Sequence, residues 1–191
     1  MSKTLHDFTT EIPQWKPYVA PLNLAEASSE QLDALKVTPS NTKVSDYVLV
    51  LAHDVETLKH RSPLFNGVMY NRGGLSRADR ELGAVGASMV NRCIYCAAVH
   101  ASRYNQLTKD TEVIAAVFAD GVDAEIEPRL KAILNFAVKL SKCPSEATAD
   151  DMAALVGAGL SKEEIVDLIL STSLFGWANR LMHTLGEPVG E

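Results

Sequence analysis

The feature that most constrains this chain is its hydrophobic period. From Ser45 onward, apolar residues recur three and four apart, in segments punctuated by capping and helix-breaking residues. Alternating period-2 runs bounded by hairpin signals are missing. "SDYVLVLAHDVETLKH" reads as one helix opened by a Ser cap, with Val48, Leu51, Ala52, Val55 and Leu58 on its face. "SPLFNGVMYNRGG" reads as a shorter helix, with Pro63 in its first turn and Gly73-Gly74 at its end. "SRADRELGAVGASMVNR" follows behind a Ser76 cap. Further helical segments are "CIYCAAVHASRYNQL", "TKDTEVIAAVFADG", "PRLKAILNFAVKLSK" and "TADDMAALVGAG". The last, "SKEEIVDLILSTSLFGWANRLMHTLG", carries the capping pair Ser161/Glu164 and should end at Gly186. Short connections make neighbouring helices antiparallel. The expected fold is all-α, a compact helical bundle with few or no strands.

Residues 1–40 differ from the rest. Pro13, Pro17, Pro21 and Pro39 punctuate an expected arm, broken by a short helix in "SSEQLDALK" capped by Ser28 or Ser29. Trp15, Tyr18 and Leu22 are its apolar anchors, against its own domain or a neighbouring subunit. The helical domain then spans 41–191. A chain of 191 residues can bury a sizeable core without disulfide or metal staples. The N-terminus has no basic stretch followed by an apolar run, so no secretory signal is expected. No apolar segment approaches the roughly 20 residues of a membrane span. The expected location is cytoplasmic, with no membrane partner. A net charge of −6 without any Lys/Arg cluster argues against nucleic acid as a partner.

The stretch "NRCIYCAAVHAS" carries the chemistry. On a helix turning about 100° per residue, Cys93, Cys96 and His100 project within a sector of about 60°. Two thiols then stand within disulfide reach at a helix start, where the dipole and free N–H groups favour thiolate. His100, one turn on, is placed to accept a proton from Cys96, directly or through water. Three readings fit: half of a zinc site, a pair of buried structural thiols, or a redox centre. Zinc wants four ligands, yet Cys143 is the only other cysteine, and His53, His60 and His183 lie on other predicted helices.

The preceding helix adds Glu81, which borders the apolar stripe of Leu82, Val85 and Met89. A carboxylate leaning into the core would have its pKa raised by burial and suit proton transfer; solvated on the surface, it would do nothing. Gly83, Ala84, Gly86, Ala87 and Ser88 are small enough to admit a second helix closely, bringing Glu81 towards the cysteine helix.

Taken together, "ELGAVGASMVNRCIYCAAVH" resembles the signature of the AhpD-like alkyl hydroperoxidase and carboxymuconolactone decarboxylase superfamily: a glutamate, a C-x-x-C and a following histidine, here Glu81, Cys93, Cys96 and His100. The proline-rich arm and the late Asn179-Arg180 resemble its peroxidase-related branch. The resemblance implies an AhpD-like helical fold and a thiol-dependent peroxidase in antioxidant defence, reducing hydrogen or organic hydroperoxides with no haem, flavin or metal. It also implies that Cys96 is the attacking thiol, oxidised to a sulfenic acid, and that Cys93, nearer the helix start and more accessible, resolves it as a disulfide. His100 relays the proton, with Glu81 orienting it. A thiol reductant of the lipoyl or thioredoxin type would close the cycle, and a homo-oligomer is expected. One position departs from the best-studied branch: a second histidine before the inner cysteine is replaced by Tyr95, so the relay is shorter or uses the phenol. Two alternatives stand beside this reading. One is a non-catalytic helical oligomer whose cysteines sense redox state or bind metal; the other is a decarboxylase-type enzyme on the same scaffold.

Other residues carry weaker signals. Cys143, before Pro144, reads as an incidental thiol, and His53 and His60 as surface groups. Trp177 reads as core or interface, His183 as a pocket neighbour, and Arg180 as a partner for a buried carboxylate such as Glu81.

Overall fold

Helix follows helix along most of the chain. The computed structural model describes residues 3–36 and 44–190; Pro39 and the expected arm boundary at residue 40 lie outside them. The helices are α1 (Ser29–Leu35), α2 (Asp46–Leu51), α3 (Val55–Tyr70), α4 (Arg77–Val90), α5 (Ile94–Thr108), α6 (Glu112–Asp120), α7 (Pro128–Ser141), α8 (Ala149–Gly157) and α9 (Lys162–Leu185). Three short strands, β1 (Lys3–Thr4), β2 (Gln14–Pro17) and β3 (Gly186–Gly190), form one small antiparallel sheet in the order β1-β3-β2.

The small residues of α4 explain its position. It is buried continuously from Asp79 to Ser88, with α5, α7 and α9 packed around it. A Cβ on Gly83 would stand 3.0 Å from Leu168 and Thr172 of α9, and one on Gly86 3.0 Å from Ala137 of α7. Both glycines therefore let a neighbouring helix approach where a side chain would crowd it. Leu82, Val85, Ile133, Leu134 and Leu168 fill the main core around this helix. Arg80 is fully buried and held by its terminal nitrogens: it donates to the carbonyls of Asn71 and Gly73 at 2.7 Å each and to Asp167 at 2.6 Å, while its Nε has no hydrogen-bond partner. That pins the α3–α4 connection against α9.

Helix boundaries between 45 and 70 differ from the sequence expectation. The single helix read over 45–60 is broken, because Asp54 caps a new one. Its carboxylate accepts the Thr57 N–H at 3.0 Å and the Thr57 hydroxyl at 2.7 Å. Helix α3 then runs through Pro63 to Tyr70 instead of restarting there. Proline removes one intrahelical bond, but Leu58, Ser62 and Met69 on either side are buried, and their packing holds the helix together.

The N-terminal segment is tied to the chain's other end. Trp15 pairs with Pro188 and Gln14 with Val189, while Lys3 and Thr4 pair with Gly190 and Val189 on the opposite edge of β3. Trp15 is buried, donates its indole N–H to the Met182 carbonyl at 3.3 Å, and meets the Tyr47 ring edge-on at 5.8 Å. Leu22 packs beside α2. Tyr18, expected as a third apolar anchor, is 60% exposed; its backbone N–H donates to the Leu185 carbonyl at 2.8 Å, but its ring is not in the core. Helix α1 is capped by Ser28, with Gln31 completing a reciprocal box. Trp15 belongs to the same apolar cluster as Cys93, Cys96, Tyr47 and Met182, so this segment roofs the cysteine pair.

Candidate active site

The turn between α4 and α5 sets the position of the cysteines. Asn91 ends α4, Arg92 takes a left-handed φ of 54°, and Cys93 becomes the N-cap of α5, its N–H bonded back to the Ser88 carbonyl at 2.9 Å. Cys96 then falls in the first turn of α5, with His100 one turn further along. Both cysteines are free and buried. Cys93, expected to be the more accessible, is 2% exposed, against 6% for Cys96. The reversal follows from its place at the cap, beneath the Trp15 segment. Cys96 is the sulfur that opens onto a cavity of about 390 Å³, shared with His100, Glu81 and Tyr95.

The two sulfurs are unequal. The Cys96 thiol beside it is the main influence holding Cys93 below the ordinary thiol pKa; the Cys96 backbone N–H and the Asn179 amide act the same way, against burial. Cys96 is pushed well up, first by donating its own proton towards Cys93, then by burial and by the charge on Cys93. The two thiols therefore titrate as a pair, with Cys93 the easier of the two to ionise.

Asn179 acts on both sulfurs from α9. It is fully buried, donates to Ser88 Oγ at 3.2 Å, and accepts from Asn91 at 3.1 Å. The amide orientation is fixed by this chain of bonds. The sequence marked Asn179 through the branch resemblance and as a candidate pocket-lining residue; it lies behind the sulfurs and not in the cavity lining.

Glu81 is fully buried and held from two sides. Oε2 meets His100 Nδ1, and Oε1 accepts from Arg77 Nε at 2.6 Å. Burial is the largest single influence on this carboxyl and raises its pKa, yet His100 and Arg77 together outweigh it and leave the net direction down. The expectation that burial would leave a raised Glu81 is corrected: two partners keep it an anion. A fixed carboxylate on Nδ1 orients the imidazole and leaves Nε2 as the working nitrogen. The His100 ring also stands edge-on to Phe175, centroids 4.0 Å apart. No direct hydrogen bond joins His100 to Cys96 among the described residues, so a proton passing between them needs a bridging water or the substrate. Burial chiefly raises the Tyr95 pKa, so its phenol remains neutral at the pocket wall and can donate but not serve as a base.

The remaining candidates sit elsewhere. Arg180 is exposed and donates to the Gly176 carbonyl; Arg77, a turn before Glu81 on α4, takes the role proposed for it. That i,i+4 pair was visible as "RADRE". Trp177 is 39% exposed. His183 bonds the Asn91 carbonyl at 2.9 Å outside the cavity lining. His53 bonds the Ala20 carbonyl at 2.8 Å and His60 meets Glu56 at 3.2 Å, both on the surface. Cys143 is exposed just beyond α7. Among the described residues no three His, Cys, Asp or Glu side chains are grouped as metal ligands, and no helix is long and apolar enough to cross a membrane. Sequence reasoning missed Arg61, a buried cation on the cavity wall, because nothing in "KHRSPLF" sets it apart.

Residues 56–139 match the model of the carboxymuconolactone decarboxylase family. An uncharacterised peroxidase-related protein with an alkylhydroperoxidase AhpD core, from Ralstonia eutropha JMP134, is 28% identical, with 95% of this chain and 94% of that one covered at a TM-score of 0.77. A peroxidase-related protein of Silicibacter sp. TM1040 is 24% identical, covering 92% and 94% at a TM-score of 0.75. The debrominase Bmp8 is 16% identical, covering 88% and 90% at a TM-score of 0.74, so the fold also carries a different activity.

Proposed function

We propose that this chain, which belongs to the AhpD-like and carboxymuconolactone decarboxylase superfamily, is a thiol-dependent peroxidase acting on organic hydroperoxides or hydrogen peroxide. The observation that carries the reading is the meeting, in one cavity, of a free and unequal thiol pair with a histidine fixed by a buried carboxylate.

Cys96 is the attacking sulfur, because it faces the cavity and Cys93 does not line it. Moving the proton of the singly ionised pair from Cys96 to Cys93 places the thiolate where the peroxide enters. The Cys96 thiolate attacks the nearer peroxide oxygen, the O–O bond breaks, and Cys96 becomes a sulfenic acid while the leaving alkoxide takes a proton drawn from solvent through His100 Nε2. The Cys93 thiol then loses its proton and displaces the sulfenic oxygen, giving the Cys93–Cys96 disulfide and water. An external dithiol restores both sulfurs with two electrons and two protons. Because both sulfurs are buried, a slender dithiol such as a lipoyl arm suits the cavity better than a directly docked protein surface. The cycle requires a reducing compartment, hence a cytoplasmic location. Val166, Leu170 and Trp177 leave an exposed apolar stripe on α9, which supports a homo-oligomer.

The test is a pair of variants mixed with one equivalent of hydroperoxide. Cys96→Ser should consume none. Cys93→Ser should consume one equivalent and stop, with its sulfenic acid trapped by a dione reagent. The inverse pattern would make Cys93 the attacker; consumption by both at the parent rate would remove the thiols from the reaction.

A further inference from the structure

The buried arginines of this protein fall into two kinds. Arg80 has a carboxylate and two carbonyls for its guanidinium. Arg61, on α3, is 8% exposed, and none of the described carboxylates is near enough to pair with it. Its Nε, like that of Arg80, is buried without a hydrogen-bond partner, and the neutral Tyr47 phenol is its polar neighbour; what separates the two arginines is the carboxylate that Arg80 has and Arg61 lacks. Aromatic faces hold the group in place instead: its guanidinium carbon lies 4.5 Å from the Phe65 centroid and 5.8 Å from that of Tyr47. Burial pulls the Arg61 pKa down, although an arginine stays charged throughout the working range. A desolvated cation without a counter-charge is costly to keep and is a recurrent mark of a ligand site.

The surroundings say what the ligand is. Arg61 lines the same cavity as Cys96 and His100, and so do Arg77 and Arg103. Among the described residues the only carboxylate in that lining is Glu81, already taken by Arg77 and His100. This is a cationic pocket in a protein whose net charge is −6. Apart from Ser45, the rest of the wall is apolar or aromatic, including Val48, Val99, Phe175, Ala178 and Met182. A small inorganic anion would satisfy the guanidinium but leave that wall wet.

We propose that Arg61 recognises the carboxylate of an amphipathic organic acid, so that the preferred substrates are hydroperoxides bearing a carboxylate on an apolar or aromatic body. A carboxylate matches the two-pronged guanidinium fork. The body lies along the aromatic wall, and the peroxide end reaches Cys96 beside His100. The inference deepens the peroxidase reading and rests on it for the reacting group, but the recognition step stands apart from the chemistry.

Binding is therefore tested with a ligand that cannot react. Titration calorimetry on the reduced protein compares 4-phenylbutyrate with its neutral isostere 4-phenylbutanamide. The acid should bind about 10–100-fold more tightly, the equivalent of a charge-assisted hydrogen bond. Arg61→Gln should bring the two ligands level, and Arg61→Lys should restore part of the preference. Equal binding of acid and amide by the parent overturns the proposal without recourse to any variant. So does an acid preference that survives in Arg61→Gln, or full displacement of the acid by equimolar inorganic phosphate. In turnover, a carboxylate-bearing hydroperoxide should exceed its methyl ester in kcat/KM by a similar factor, with the difference mainly in KM. Inactivity towards both, with the binding preference intact, refutes the peroxidase reading and leaves the acid site standing.

Discussion

Glu81→Gln isolates the electrostatics of the site while keeping its shape. The carboxylate is fully buried, its partners are His100 and Arg77, and the Arg77 side chain is 23% exposed. Breaking a buried pair by removing one partner costs about 3–5 kcal/mol. Gln retains a neutral hydrogen bond and Arg77 can turn to water, so the expected loss is about 2–4 kcal/mol. For a chain of this length that lowers the thermal midpoint by about 5–12 °C. The pH dependence gives a second, independent check. The folded-state pKa of Glu81 lies below its ordinary value of 4.5. Its stabilisation is therefore complete above the unfolded-state value and is lost as pH falls through the folded-state value. Urea denaturation of parent and variant should differ most near neutrality, and the curves should converge below pH 4.5. A gap of about 1 kcal/mol or less at neutral pH, the worth of a solvent-exposed pair, would refute the reasoning. A gap that persists unchanged into acid would refute it too. The same variant should slow thiol oxidation and alter its pH–rate profile, because an unanchored imidazole presents Nε2 less often to the cavity.

Further expectations follow from single contacts. Asn179→Ala removes a donor that lowers both thiols, so the pH midpoint of iodoacetamide alkylation should move up; a midpoint that stays or falls would contradict that role. A Cβ on Gly186 would stand 2.5 Å from the Trp15 ring and 2.6 Å from the Lys16 carbonyl. Gly186→Ala should cost about 1–3 kcal/mol and speed proteolysis of the N-terminal segment, whereas an unchanged cleavage rate would mean that β2 is not held there. Asp167→Asn leaves Arg80 buried without its counter-charge and should cost about 3–5 kcal/mol in chemical denaturation. Asp151, held at about 2 by Lys139 first and by its capping bonds to Thr148, stabilises the fold above its unfolded-state value of 3.8 and loses that contribution towards pH 2. Asp151→Asn should therefore flatten the acid limb of the stability profile, and an unaltered limb would remove this pair from it.

Much of the molecule was legible in the sequence because local chemistry decides it. Ser76, Ser161 and Glu164 cap the helices they were expected to cap, and the cysteines and histidine lie where the helical period puts them. What failed was decided by contacts the period cannot see. Asp54 out-competed the continuous pattern over 45–60 because its carboxylate bonds Thr57. Strand β3 exists because Gly186 lets Trp15 lie against the chain, a pairing between residues far apart in sequence. Glu81 was singled out, but its helix left it open between core and surface, and the direction of its pKa required its partners: burial and two cations oppose each other, and only their positions show which prevails. Cys93 was misjudged as the accessible sulfur because its cover comes from the other end of the fold. Arg61 was invisible for the opposite reason, since its meaning lies in the carboxylate it does not meet.

The most direct test of the central claim is the mass and thiol count of the reduced protein after one equivalent of hydroperoxide, with peptides mapped without reduction. The account predicts that peroxide disappears one for one with the two free thiols, that the protein loses the mass of two hydrogens, and that Cys93 and Cys96 appear in one linked peptide. Peroxide that remains unconsumed, or is consumed while both cysteines stay alkylatable, would contradict it.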